Sequence, residues 1–211
     1  MFKKTLFAAV LIALPSLASA VTVTAENDYA TALGLVDPTQ SLDLPGAWVQ
    51  TPLTIDPDAS VGGQYRSPFE TAGTAVPGIA ASAGYFTVGV TSTPYSGFPN
   101  PAELTLSSLA KSVSLLWGSP DTYNTLELYN GGTLVGTVLG GQFNALGKEA
   151  SFVTISANDV TEYFDTLKFA STTNAFEFSN VSIAPVPLPA GLPLLLAGLG
   201  TFAWMRRRKA A

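Results

Sequence analysis

The chain has 211 residues, with 15 Asp/Glu against ten Lys/Arg, and it contains neither cysteine nor histidine. Their absence rules out disulfides, Cys- or His-based nucleophiles and His/Cys zinc or copper sites. The acidic balance, with an isoelectric point of about 4.6, argues against a nucleic-acid partner.

At the N-terminus, Lys3 and Lys4 precede the unbroken apolar run Leu6 to Leu14. Pro15 ends that run, and Ala18-Ser19-Ala20 supplies small residues. Basic, apolar and small-residue regions in this order are the pattern of a secretory signal peptide, and the apolar run is too short to span a bilayer. Residues 1–20 are therefore expected to enter the Sec machinery. Signal peptidase then reads Ala18 and Ala20, and the mature chain begins at Val21. The competing reading is a buried N-terminal helix.

Residues 21–184 form one exported domain, long enough for a substantial core. It holds four Lys/Arg against all 15 Asp/Glu, a net of −11. Residues 30–80 are proline-rich, which predicts long loops with an edge strand around Ala47 to Gln50. Strand patterns follow at 85–90, 104–106, 113–117, 125–129, 133–139, 151–155, 166–169 and 175–183, rich in aromatic and β-branched residues. Asn130-Gly131-Gly132 predicts a tight hairpin between two of them. Helical signal is poor, with one turn expected in 156–162 and Asn158-Asp159 at its start. Short strands separated by Gly, Asn, Asp and Pro predict an all-β sandwich.

Residues 185–211 form a third region. The prolines Pro185, Pro187 and Pro189 alternate, and each disfavours helix in the residue before it. An apolar stretch over 190–205 follows. Its 16 residues make a helix of about 24 Å, short against a hydrocarbon core of ~30 Å. Trp204 suits the interface, and Arg206, Arg207, Arg208 and Lys209 should stay on the cytoplasmic side. The prediction is a single C-terminal transmembrane helix with residues 21–184 exported.

The motif Val186-Pro187-Leu188-Pro189-Ala190, the short apolar helix and the basic tail resemble the PEP-CTERM sorting class in its VPLPA variant. The resemblance implies a Gram-negative host that exports polysaccharide. It also implies an exosortase that cleaves at the motif, only transient residence in the inner membrane, and release to the cell surface or biofilm matrix. Leu188 stands where the parent motif has Glu, which implies a variant-specific exosortase. A plain type I anchor with a proline-rich stalk is the alternative. A second block, Leu116 to Asn124 with Leu126 to Tyr129, resembles one group of exosortase-dependent surface proteins, as does the closing strand Ala175 to Val181. These blocks resemble jelly-roll sandwiches of the carbohydrate-binding kind.

Three candidate sites follow from residue type. Trp117, Asp121, Tyr123 and Asn124 could form a sugar platform, an aromatic face with Asp/Asn hydrogen-bonding groups. Their plainer reading is a core tryptophan followed by a turn in which Asp121 caps the backbone. Asp56-Pro57-Asp58 has a calcium-loop spacing but lacks the third acid, turn glycine and distal Glu of an EF-hand. Solvated loop acids are the ordinary reading, and no cofactor is expected. The Asn180-Val181-Ser182 sequon lies within a strand and reads as chance. The sequence thus points to a non-enzymatic surface protein associated with extracellular polysaccharide. An Asp/Glu-dependent glycan hydrolase and a permanently anchored membrane protein are the alternatives.

Overall fold

A computed structural model describes residues 21–71, 74–75, 84–91, 93–143 and 149–187. The signal segment with Ala18 and Ala20, the motif residues Leu188, Pro189 and Ala190, the apolar stretch 190–205, and the tail with Trp204 and Arg206, Arg207, Arg208 and Lys209 lie outside them. Among the described residues no helix is long and apolar enough to cross a membrane.

The chain is all-β, built on one antiparallel ten-stranded sheet. The strands are β1 (Val21–Glu26), β2 (Gly46–Gln50), β3 (Leu53–Ile55), β4 (Glu70–Thr71), β5 (Thr74–Ala75) and β6 (Tyr85–Val88). Then come β7 (Ala102–Gly118), β8 (Asn124–Asn130), β9 (Thr133–Leu139), β10 (Ser151–Ala157), β11 (Phe164–Ser171) and β12 (Phe176–Pro185). The two-residue strands β4 and β5 pair only with each other.

The 17-residue β7 organises the rest. Its first half pairs with β2 and β11, which leads on to β8 and β9. Its second half pairs with β10, backed by β1, and with β12, followed by β6 and β3. Sequence patterning placed two strands here, at 104–106 and 113–117. They are one strand, because no Gly or Pro between them supplies a break and Ser107 to Ser112 stay extended.

The two halves face each other across a shared core, giving a sandwich-like arrangement. Leu104, Leu126, Leu128, Leu167 and Phe169 come from one half, and Val113, Leu115, Trp117, Val153, Phe176 and Phe178 from the other. Phe169 stacks on Phe178 across this interface, with ring centroids 4.1 Å apart and planes at 4°. A second apolar cluster covers the outer face of the half containing β12. There Leu53, Ile55, Tyr65, Phe69, Tyr85 and Leu116 pack together.

The β8–β9 hairpin turns through Gly131 and Gly132, both at positive φ (53° and 83°), with Asn130 opposite Thr133. That two-residue turn needs left-handed backbone at both positions, which Asn-Gly-Gly supplies without Cβ strain. The expected single turn is a 3-10 helix over Val160–Glu162, capped by the Asp159 side chain, which accepts from Thr161 N–H at 2.7 Å. Two 3-10 turns, Pro38–Gln40 and Gly140–Gln142, escaped sequence reading, as did one α-helix, α1 (Tyr29–Gly34), capped by Asp28 accepting from Thr31 N–H at 2.9 Å. Its six residues carry no amphipathic repeat long enough to register.

Candidate binding cleft

Alternation along β12 sends Phe176 and Phe178 into the inter-layer core and Glu177 and Ser179 to the opposite face. That face would ordinarily be wet. Here the segment from Pro57 to Glu70 lies over it, with Ser67, Pro68 and Phe69 buried, so Glu177 is only 2% exposed. In the sheet register Glu177 stands opposite Gly118 on β7 and Thr87 on β6. Gly118 leaves the space the carboxyl's stem occupies. A Cβ at Gly118 would lie 3.1 Å from the Cβ atoms of both Glu177 and Pro68.

Glu177 forms part of the wall of an open cleft of about 650 Å³. One side of the cleft comes from the covering segment, with Asp58, Ser60, Gly62, Gly63, Arg66 and Glu70. The other comes from the turn after β7 and the approach to β12, with Ser119, Asp121, Tyr123 and Asn174. The side chain of Asn174 ties the two sides together. Its Nδ2 donates to Gly63 O at 3.0 Å, and its Oδ1 accepts from Thr91 N–H at 3.0 Å. Ser119 holds a left-handed backbone (φ 43°), unusual for a residue with a Cβ, at the point where the chain leaves β7 and enters the cleft rim.

Within the cleft, Glu177 Oε1 accepts from Arg66 N–H at 2.8 Å, while its buried Oε2 has no hydrogen-bond partner. Burial pushes this carboxyl up to about 8, opposed in part by the hydrogen bond from Arg66 N–H. Glu70, also buried, accepts from the Ser60 hydroxyl at 2.6 Å. The Tyr123 hydroxyl donates to Asp121 Oδ2 at 2.7 Å; burial and that hydrogen bond raise its pKa well above the usual phenol value. The cleft is thus rich in carboxyl, hydroxyl and amide groups, with Arg66 as its cation.

The residues expected to form a sugar platform divide. Asp121 and Tyr123 line the cleft. Trp117 does not: it is 0% exposed, stacked on Phe176 at 4.2 Å and edge-on to Phe143 at 5.1 Å. Its position on the core face of β7 removes it as a stacking surface. Asn124 is also fully buried; it accepts from the Ser171 hydroxyl at 2.7 Å and braces the turn rather than facing solvent. Asp121 closes a turn through its backbone, with its carbonyl accepting from Asn124 N–H at 3.1 Å, while its carboxyl takes the tyrosine hydroxyl instead of capping the backbone.

Asp56 and Asp58 are both exposed, and only Asp58 reaches the cleft. Among the described residues no three Asp or Glu side chains converge as a metal site. Asn180 of the sequon sits in a left-handed kink of β12 (φ 52°), with its amide donating to Asp37 O at 2.6 Å. Glu177, Glu70 and Arg66, the groups that give the cleft its chemistry, went unmarked in the sequence. The one available signal was Glu177 between two phenylalanines, a charge inside an otherwise apolar strand.

No family model matches the chain, and no curated protein is similar to it.

Proposed function

We propose that this protein is an exported, non-enzymatic component of a bacterial surface or polysaccharide matrix, and that its sandwich domain associates with glycan. On this reading residues 1–20 direct export and residues 185–211 anchor the chain in the inner membrane. An exosortase then acts at Val186 to Ala190, and the released domain is a jelly-roll-like sandwich. The cleft carries the reading: its wall of carboxyl, hydroxyl and amide groups suits polyhydroxylated ligands, which are recognised through hydrogen bonds. The strongly acidic exported segment favours solubility outside the cell.

The test is the fate of the protein in a polysaccharide-exporting Gram-negative host. The expected result is recovery in the extracellular matrix, solubilised by degrading the polysaccharide, with a mature C-terminus that lacks Arg206 to Lys209. Mass spectrometry finding the basic tail on the surface-resident form would make it a permanent anchor. Absence from the surface would overturn the reading altogether.

One observation favours a hydrolase as a second reading. Glycoside hydrolysis pairs a carboxyl held protonated near neutral pH with an ionised one. Glu177, pushed up to about 8, and Asp121 line the same cleft. Against it, Glu177 Oε2 is sealed from solvent and Oε1 is engaged by Arg66 N–H. Loss of a measurable polysaccharide-degrading activity in both Glu177→Gln and Asp121→Asn would install the hydrolase in place of the binding module.

A further inference from the structure

We infer that the end of the sandwich from which the chain runs on to residue 190 rests on a zwitterionic lipid surface while the protein is anchored, with Leu109, Leu134 and Val160 as its lipid contacts. This rests on the anchored stage of the proposed function and adds what the domain touches there. Four segments meet at this end. β12 leaves the sheet here, with Pro185 opposite Ala110 and Val186 N–H donating to Leu109 O at 2.8 Å. β11 begins here, with Phe164 opposite the same Ala110. The β8–β9 hairpin closes here, Gly131 N–H donating to Asp165 Oδ2 at 3.0 Å, and the 3-10 turn Val160–Glu162 packs against β9. Together they present Leu109, Leu134 and Val160, which are 37%, 41% and 68% exposed. Tyr163, half-buried beside the turn, adds a ring with a polar tip of the kind found at headgroup level.

The reach of the chain selects the partner. The sheet holds Val186, and the expected membrane stretch starts at residue 190. Fully extended, the chain between them spans at most about 14 Å. The polar headgroup layer takes up roughly 5–7 Å of that. A tether this short cannot hold the end of the domain clear of the lipid. Apolar side chains already facing water there gain by entering the boundary between headgroups and acyl chains. The charges at this end choose the lipid: Asp159, Glu162 and Asp165 stand against Lys111. An anionic surface would repel that excess, whereas the cationic groups of zwitterionic headgroups can meet the carboxylates. The cleft lies toward the other end of β12, since Glu177 precedes Pro185 by a length of strand on the order of 26 Å. Docking in this pose turns the cleft away from the membrane.

The experiment reconstitutes the full chain into phosphatidylcholine vesicles and checks anchoring by flotation. The chain has no cysteine, so Val160→Cys, Leu134→Cys and Asp58→Cys each take a fluorophore at a single position. The readout is quenching by a nitroxide near the top of the lipid acyl chain. Labels at positions 160 and 134 should be quenched roughly threefold or more over the label at position 58, beside the cleft. A six-residue Gly/Ser insert after Pro187 lengthens the tether and leaves Val186 in the sheet. Quenching at position 134 should survive that insert, because the face has its own affinity for lipid. Adding Leu109→Asp and Val160→Asp to the lengthened chain should bring it down to the level of position 58, with the melting temperature unchanged. Replacing half of the lipid by phosphatidylglycerol should weaken quenching in the lengthened chain.

Equal quenching at positions 160 and 58, or quenching that vanishes with the longer tether, would overturn the inference. So would quenching that survives the paired Asp substitutions or strengthens with phosphatidylglycerol. Shielding of position 160 that rises with protein concentration and ignores the lipid quencher would assign the face to a second copy of the chain instead. These failures are distinct from failure of the wider reading. A chain that floats with the vesicles but shows no quenching at position 160 refutes only the docking. One that does not float at all refutes the anchored stage, and the docking with it.

Discussion

At the scale of single residues, Glu177 ties stability to pH. The unfolded chain releases its proton near the ordinary value of 4.5, whereas the folded protein holds it to about 8. Between those values the folded state binds more protons, so stability is full below about 4.5 and falls as pH rises through the window. Each pH unit weakens the fold by at most ~1.4 kcal/mol. Glu177→Gln does not titrate, and it should flatten the profile. Melting curves are expected to show the variant above wild type at pH 8.5, with the gap closing toward pH 5; parallel profiles would refute the assignment. The opposite limb belongs to Asp28, Asp37 and Asp159, each lowered by a threonine hydroxyl and N–H. Their contribution is present at neutral pH and is lost as pH falls below the usual aspartate value of 3.8.

Trp117 is the other residue whose role the fold decides. It packs between Phe176 and Phe143 in the closed core, so Trp117→Ala should cost about 3–5 kcal/mol by chemical denaturation. Trp117→Phe should cost much less. It keeps the aromatic stack and removes an indole N–H that has no partner.

Among the elements, β7 and β12 carry the site between them. Gly118→Ala would place a methyl 3.1 Å from Glu177 and Pro68, forcing the covering segment away from the sheet. The expected cost is about 1–3 kcal/mol by denaturant melts, with weaker binding of any cleft ligand. β12 also reaches toward the proposed sorting motif. Pro185 stands opposite Ala110, and Val186 N–H donates to Leu109 O at 2.8 Å, so the sheet holds the first residue of that proposed motif. Only residues 187–189 separate it from the expected membrane stretch. If the proposed exosortase acts there, a six-residue Gly/Ser insert after Pro185 should speed processing in the host, followed as loss of the basic tail by mass spectrometry. Unchanged kinetics would mean the protease does not compete with the sheet.

For the molecule as a whole, much of the architecture was legible locally. Asn130-Gly131-Gly132 and Asp159 act through backbone torsions and hydrogen bonds a few residues away, and both appear where expected. The continuity of β7 was less legible, because patterning cannot tell a bend from a break when no Gly or Pro lies between two apolar runs. The cleft was least legible. Asp121 and Tyr123 were marked beside Trp117, which suggested a shared platform. Strand alternation instead put the tryptophan on the opposite face from the cleft.

The sequence alone determined the all-β class, the hairpin, the absence of Cys and His chemistry, and the acidity of residues 21–184. All of these follow from composition and short-range geometry. Only the tertiary structure decided that Glu177 is buried, that Trp117 is core and that Arg66 meets Glu177, 111 positions away. Burial is a property of what covers a face. Here the cover for β12 comes from the Pro57 to Glu70 segment, whose position no local pattern encodes.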